Sequence, residues 1–159
     1  MKFASFLNSL SIKTAYAHCD IPCGIYDPHS AQMAAHTIIR MTQFLDEVKR
    51  DDETKAEHDI ARVTHVKEEH SNLLEDELFT LRHDYFNDEH LKEYPSLTDL
   101  FQKALNLNSK SRQNIDMASA KELLEIVLQI SEIFFKTKGV TPIRVKSVYP
   151  TGGEIVTHK

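Results

Sequence analysis

The 159-residue chain carries 19 Lys and Arg against 24 Asp and Glu, a formal charge of −5 that makes it a poor partner for nucleic acid or an anionic membrane. Its length fits one domain, and 41% hydrophobic residues suffice for a real core. Only four glycines and no tryptophan, with abundant Leu, Ile, Glu and Lys, lean the composition toward helix, and no stretch approaches the ~20 apolar residues of a membrane span.

Residues 1–17 begin with one early lysine. Phe3, Phe6, Leu7 and Leu10 follow, broken by Ser5, Asn8 and Ser9, which is a weak apolar region for a secretory signal. The stretch ends Ala15-Tyr16-Ala17, a small-x-small pattern of the kind proteases cut after. Cleavage there removes Lys2 and Lys13 and no acid, leaving −7.

His18-Cys19-Asp20-Ile21-Pro22-Cys23-Gly24-Ile25-Tyr26 follows, holding both cysteines of the chain. Two thiolates and an imidazole within six residues form a compact soft-ligand cluster. With His18 as the first residue, its α-amine, the Cys19 backbone nitrogen and the two thiolates offer four corners of a plane around one metal. Pro22 stiffens the backbone between the thiolates and Gly24 permits a turn. A disulfide is the competing reading. A bridge closing so short a loop would stabilise little, because loop-closure entropy depends on loop length.

Asp27-Pro28 is a helix start, and Ala34, Ile38, Met41, Leu45 and Val48 form one apolar stripe to about residue 50. A second helix is expected over about 54–81, its stripe running Ile60, Val63, Lys67, His70, Leu74, Leu78 and Leu81. Residues 82–95 read as an irregular connection. Ser96 caps a shorter third helix with Leu97, Leu100, Phe101, Ala104 and Leu105 inward, and residues 106–111 read as a polar turn. A fourth helix is expected over 114–138. It has one stripe of Leu123, Ile126, Ile130 and Ile133 and another of Leu124, Val127 and Phe134, so it wants two partners, which suits a bundle that also oligomerises. Gly139 ends it.

The tail, residues 140–159, holds the β-formers Ile143, Val145 and Val148 with Pro142, Pro150 and Gly152-Gly153. Two readings stay open for it: a disordered extension, or a short hairpin docked on a neighbour. The predicted fold is all-α, an antiparallel up-down four-helix bundle with an N-terminal hook and a non-helical tail. None of the nine histidines has Glu three residues before it and no His-Glu-x-x-His occurs, so the sequence patterns of a di-iron carboxylate bundle and of a zinc-protease helix are missing. His29, His36, His58, His65, His83 and His90 read as mostly solvated surface.

From His18 to Tyr26 the chain resembles the nickel superoxide dismutases, whose mature N-terminus reads His-Cys-Asp-x-Pro-Cys-Gly-x-Tyr. The likeness continues through Asp84-Tyr85-Phe86, Glu93-Tyr94-Pro95 and Ile133-Phe134-Phe135, covering roughly residues 18–138. The resemblance implies a four-helix domain over 18–139 assembled as a hexamer. It also implies that residues 1–17 are a propeptide removed by a processing protease, favouring a cytoplasmic protein over an exported one. It implies one nickel ion per subunit, held by His18, Cys19 and Cys23, with the His18 imidazole axial in the oxidised state. The reaction implied is disproportionation of superoxide. Tyr26 and Tyr85 would screen the open face of the metal and donate hydrogen bonds, and Asp20 would help hold the hook against the bundle.

The donor set agrees with nickel. Structural zinc prefers four closed tetrahedral ligands, whereas a planar nitrogen-containing set suits Ni(II) or Cu(II), and thiolates tend to reduce Cu(II). Two departures from family members stand out. A Glu–Arg pair that buttresses the ligand histidine aligns with Ala34 and His70, so His70 itself is expected to support His18. A family lysine aligns with Asn87, which puts local steering of an anionic substrate in question. A nickel storage or delivery module without turnover, and a plain helical interaction bundle with an incidental Cys pair, are the competing classes.

Overall fold

The computed structural model describes residues 23–159. His18, Cys19, Asp20, Pro22 and the leader lie outside the described residues.

Asp27 accepts the His29 amide at 2.7 Å, Pro28 is buried at the N-cap, and helix α1 runs His29–Asp46. Asp52 caps the next helix by accepting the Lys55 amide at 3.0 Å, and α2 runs Glu53–Thr80. The chain then widens into a π-helical turn, Leu81–Tyr85, closed by Phe86 N–H donating to the Leu81 carbonyl at 2.9 Å. A short helix α3, Asp88–Glu93, is capped by Asn87, whose side chain accepts from the Glu89 and His90 amides. The expected irregular connection is therefore ordered. Helix α4 runs Leu97–Gln113 and α5 runs Met117–Thr137 from an Asp116 cap.

Four long helices result, α1 packing on α2 and α5, and α4 packing on α2 and α5. Ala34, Ile38, Leu74, Leu78, Leu97, Ala104, Leu123 and Ile130 fill the space between them. The polar turn expected at residues 106–111 is not there. Alternation within that stretch keeps α4 continuous: Leu107, Asn108 and Ser111 face inward while Asn106, Ser109 and Lys110 face water. Buried Asn108 donates from Nδ2 to the Ser71 carbonyl of α2 at 2.9 Å, so a polar residue serves the interior of the α2–α4 seam. Lys67 is likewise buried there. Its Nζ donates to the Asn114 carbonyl at 2.7 Å, and burial lowers its pKa.

The tail folds as a two-stranded antiparallel hairpin, β1 Pro142–Lys146 with β2 Glu154–His158, in register Arg144 opposite Val156. It docks on its own chain, so the fold is mostly helical with a small sheet rather than all-α. Val156 inserts beside α1, and the buried Gln32 amide donates from Nε2 to the Val156 carbonyl at 3.1 Å and accepts its N–H at 2.7 Å through Oε1. His36, expected at the surface, is buried: its ring nitrogens lie 2.8 Å from Thr151 Oγ1 and 3.1 Å from the Glu154 carbonyl. On α5, Arg144 pairs bidentately with Glu125 and through Nε with Glu132. A Cβ at Gly153 would stand 3.6 Å from Leu124, and the His158 ring lies tilted against Phe135 with centroids 5.0 Å apart, so the hairpin itself takes up part of the apolar surface of α5.

Candidate metal centre

The described part of the hook leads straight into α1. Cys23 is exposed, Gly24 takes φ +72°, and the Ile25 amide turns back to donate to Cys23 Sγ at 3.4 Å. A left-handed φ is where a glycine is needed, so Gly24 supplies the turn anticipated for it. In the hook sequence, two sulfur donors within six residues of an imidazole are a set that fits nickel.

Three residues past Cys23 the Tyr26 ring meets the Tyr85 ring, centroids 5.4 Å apart. The π-helical turn delivers Tyr85 to this place. Phe86, Phe134 and His90 pack around it, the His90 ring stacked at 5.5 Å and 23°. His90 is thus half-buried against aromatic rings rather than solvated, and its Nδ1 accepts the Asn87 amide at 3.4 Å. Thr137 spends its hydroxyl hydrogen on the Phe134 carbonyl, so Tyr85 is the donor in the 2.8 Å bond between Tyr85 Oη and Thr137 Oγ1. Burial pushes the Tyr85 phenol up, more than the Thr137 bond offsets. Tyr85 is therefore a neutral phenol tied to the end of α5, with its ring toward Tyr26.

One residue at this end escaped the sequence reading. Lys138, the C-cap of α5, holds its Nζ 4.6 Å from the Tyr85 ring centroid and 5.5 Å from that of Phe134. A lysine at a helix end is ordinary, and only the packing of α5 on the π-helical turn gives it this place.

His70 is half-buried on α2 and its Nδ1 lies 2.9 Å from the Val66 carbonyl of the same helix. A carbonyl only accepts, so Nδ1 carries the hydrogen and neutral His70 presents Nε2 as an acceptor. Ser71, one residue on, is the position fully buried in the seam. The support of His18 expected of His70 falls outside the described residues.

The family model described as nickel-containing superoxide dismutase matches residues 13–138, which span the His18–Tyr26 motif and all five helices. The chain belongs to the nickel-containing superoxide dismutase family. It is 33% identical over 122 residues to the "Superoxide dismutase [Ni]" of Streptomyces seoulensis, covering 77% of this chain and 88% of that one. It is 33% identical over 125 residues to that of Streptomyces coelicolor (strain ATCC BAA-471 / A3(2) / M145), covering 79% and 91%. Among solved structures it superposes on native nickel superoxide dismutase with a TM-score of 0.68 and 31% identity, covering 76% of this chain and 99% of that one. A nickel superoxide dismutase structure with ligation corresponding to the oxidised state gives 0.69 and 32%, covering 77% and 99%. The hairpin lies beyond the span that the family model matches.

Proposed function

We propose that the chain disproportionates superoxide at a nickel ion held by His18, Cys19 and Cys23, with the His18 α-amine exposed by removal of residues 1–17. The observation that carries the activity is the family match across the hook and the helical domain together. Nickel supplies a one-electron couple between Ni(II) and Ni(III), so that one superoxide gives up an electron and leaves as dioxygen while a second takes that electron and two protons and leaves as hydrogen peroxide. The residues of the chain bind, orient and screen. Cys19 and Cys23 bind as thiolates, and Pro22 and Gly24 set the path between sulfur and α1. Asp20 ties the hook to the bundle. Tyr26 and Tyr85 form a ring wall that limits the approach to small molecules, and Tyr85 keeps its own proton on the bond to Thr137. His70 offers Nε2 to the His18 ring as an orienting partner.

The same reading takes the helices as an antiparallel up-down four-helix bundle over 18–139, assembled as a hexamer, with a dedicated protease removing the leader in the cytoplasm. The cyclic packing of α1, α2, α4 and α5 and the weak apolar region of residues 1–17 support it.

Maturation gives the direct test. Protein beginning at His18 is expected to bind nickel and remove superoxide, whereas protein beginning at Met1 binds nickel poorly and is inactive. Elemental analysis with a superoxide assay reads both. Full activity with residues 1–17 attached would overturn the ligand set, and tight nickel binding without turnover would make the protein a carrier. Cys23→Ser is expected to abolish nickel retention while leaving helical circular dichroism unchanged, because the hydroxyl cannot replace the thiolate and the core lies elsewhere.

A further inference from the structure

We propose that Lys138 is the cation that draws the superoxide anion to the Tyr26–Tyr85 wall beside Cys23. The inference rests on the proposed reaction and adds to it the residue that solves a charge problem. The substrate is an anion, and the chain carries a net charge of −5, or −7 once residues 1–17 are removed. Position 87 offers no cation: Asn87 is neutral and its side chain is spent on capping α3. Asp84, half-buried next to Tyr85, adds to the repulsion.

Lys138 answers that arrangement. Its ammonium stands 4.6 Å from the Tyr85 centroid, and Tyr85 in turn stands 5.4 Å from Tyr26, three residues from the Cys23 sulfur. Among the described residues no carboxylate lies within 4.0 Å of Lys138, so its charge is not spent on an ion pair. Two aromatic faces hold it instead, a contact that orients an ammonium without neutralising it. Gly139, at φ +74°, turns the chain away immediately afterwards and leaves the lysine at the helix end. Lys136 lies two residues earlier in the same final turn and is exposed like Lys138, but among the described residues its ammonium stands over no aromatic ring. A fixed cation beside a site raises the local concentration of an anion and its rate of encounter, in a manner that salt screens.

The test compares wild type, Lys138→Met, Lys138→Arg and Lys136→Met with two measurements. The first needs no nickel. The chain has no tryptophan, so a full-length background in which Phe replaces Tyr16, Tyr94 and Tyr149 emits only from Tyr26 and Tyr85. Iodide quenching of that emission is expected to fall roughly two-fold in Lys138→Met while caesium quenching rises, with Lys138→Arg and Lys136→Met close to wild type. In the second, the nickel-loaded proteins are assayed at rising ionic strength. Lys138→Met is expected to lose roughly three-fold in bimolecular rate at low salt, to approach wild type at high salt, and to keep its nickel content. Iodide quenching and a salt slope unchanged in Lys138→Met would overturn the proposal. A wild type that loads nickel and removes no superoxide would sink the activity alone, since the iodide measurement decides by itself whether Lys138 gathers anions.

Discussion

Leu74, Leu78, Leu123 and Ile130 hold the helices together by apolar burial, which asks only that the neighbour be apolar and of fitting shape. The hairpin is held differently. Val156 is its one buried apolar residue, and beside the contacts with Leu124 and Phe135 its attachment is directional: two bonds from the Gln32 amide to the backbone of Val156, two contacts from the His36 ring, and the fork of Arg144 on Glu125 and Glu132. Area holds the first region and geometry holds the second. The core should therefore tolerate conservative apolar exchange, while the hairpin should respond to the loss of single polar atoms.

The largest expected effect is in the core. Leu123→Ala is expected to destabilise the whole domain by about 2–5 kcal/mol, read by urea denaturation. A cost under about 1 kcal/mol would place the main stabilisation elsewhere. Gln32→Leu comes next. It keeps an apolar stem but strands the buried Val156 N–H and carbonyl, and undocking of the hairpin lets water reach both, which holds the total cost to about 1–3 kcal/mol. Hydrogen exchange at the Val156 amide is expected to accelerate strongly while the amides of α5 stay protected, and equal acceleration in both would show that hairpin and bundle form one cooperative unit.

The smallest effect is a pH dependence at His36. Burial holds its pKa below the ordinary 6.5, and the Glu154 carbonyl bond only partly offsets that. The unfolded chain thus binds the proton more readily than the folded one. Stability from this residue is fully present above about pH 6.5 and falls as the pH drops from there toward the lowered folded-state value. His36→Gln should flatten that loss between pH 7.5 and 5.5 in thermal melts, and identical slopes in the two proteins would remove His36 as its source.

The same division explains what the sequence made legible. The stripes of α1, α2 and α5 could be read because apolar periodicity is the direct trace of burial. The continuity of α4 could not: Asn108 and Ser111 look like turn residues until Ser71 is seen across the seam. His36 looked solvated because its partners lie more than a hundred residues away in the tail. At the metal end, the chemistry of His18, Cys19 and Cys23 stands within six residues and is visible to inspection. The approach of Tyr85 to Tyr26, and of His90 and Lys138 to Tyr85, is a product of packing, and no local pattern announces it.

The π-helical turn at Leu81–Tyr85 holds one residue more than an α-helical turn would need. The bond from Phe86 to Leu81 closes over five residues where an α-helix closes over four, so the extra residue is taken up by widening this one turn. Deleting Arg82 or His83 would remove no ligand and little packing, since neither is buried. It would nonetheless narrow the turn that presents Tyr85, and so shift the ring that meets Tyr26 and on which Lys138 rests. The wall of the site is thus written partly as a length, and a one-codon deletion there is expected to be worse than most substitutions.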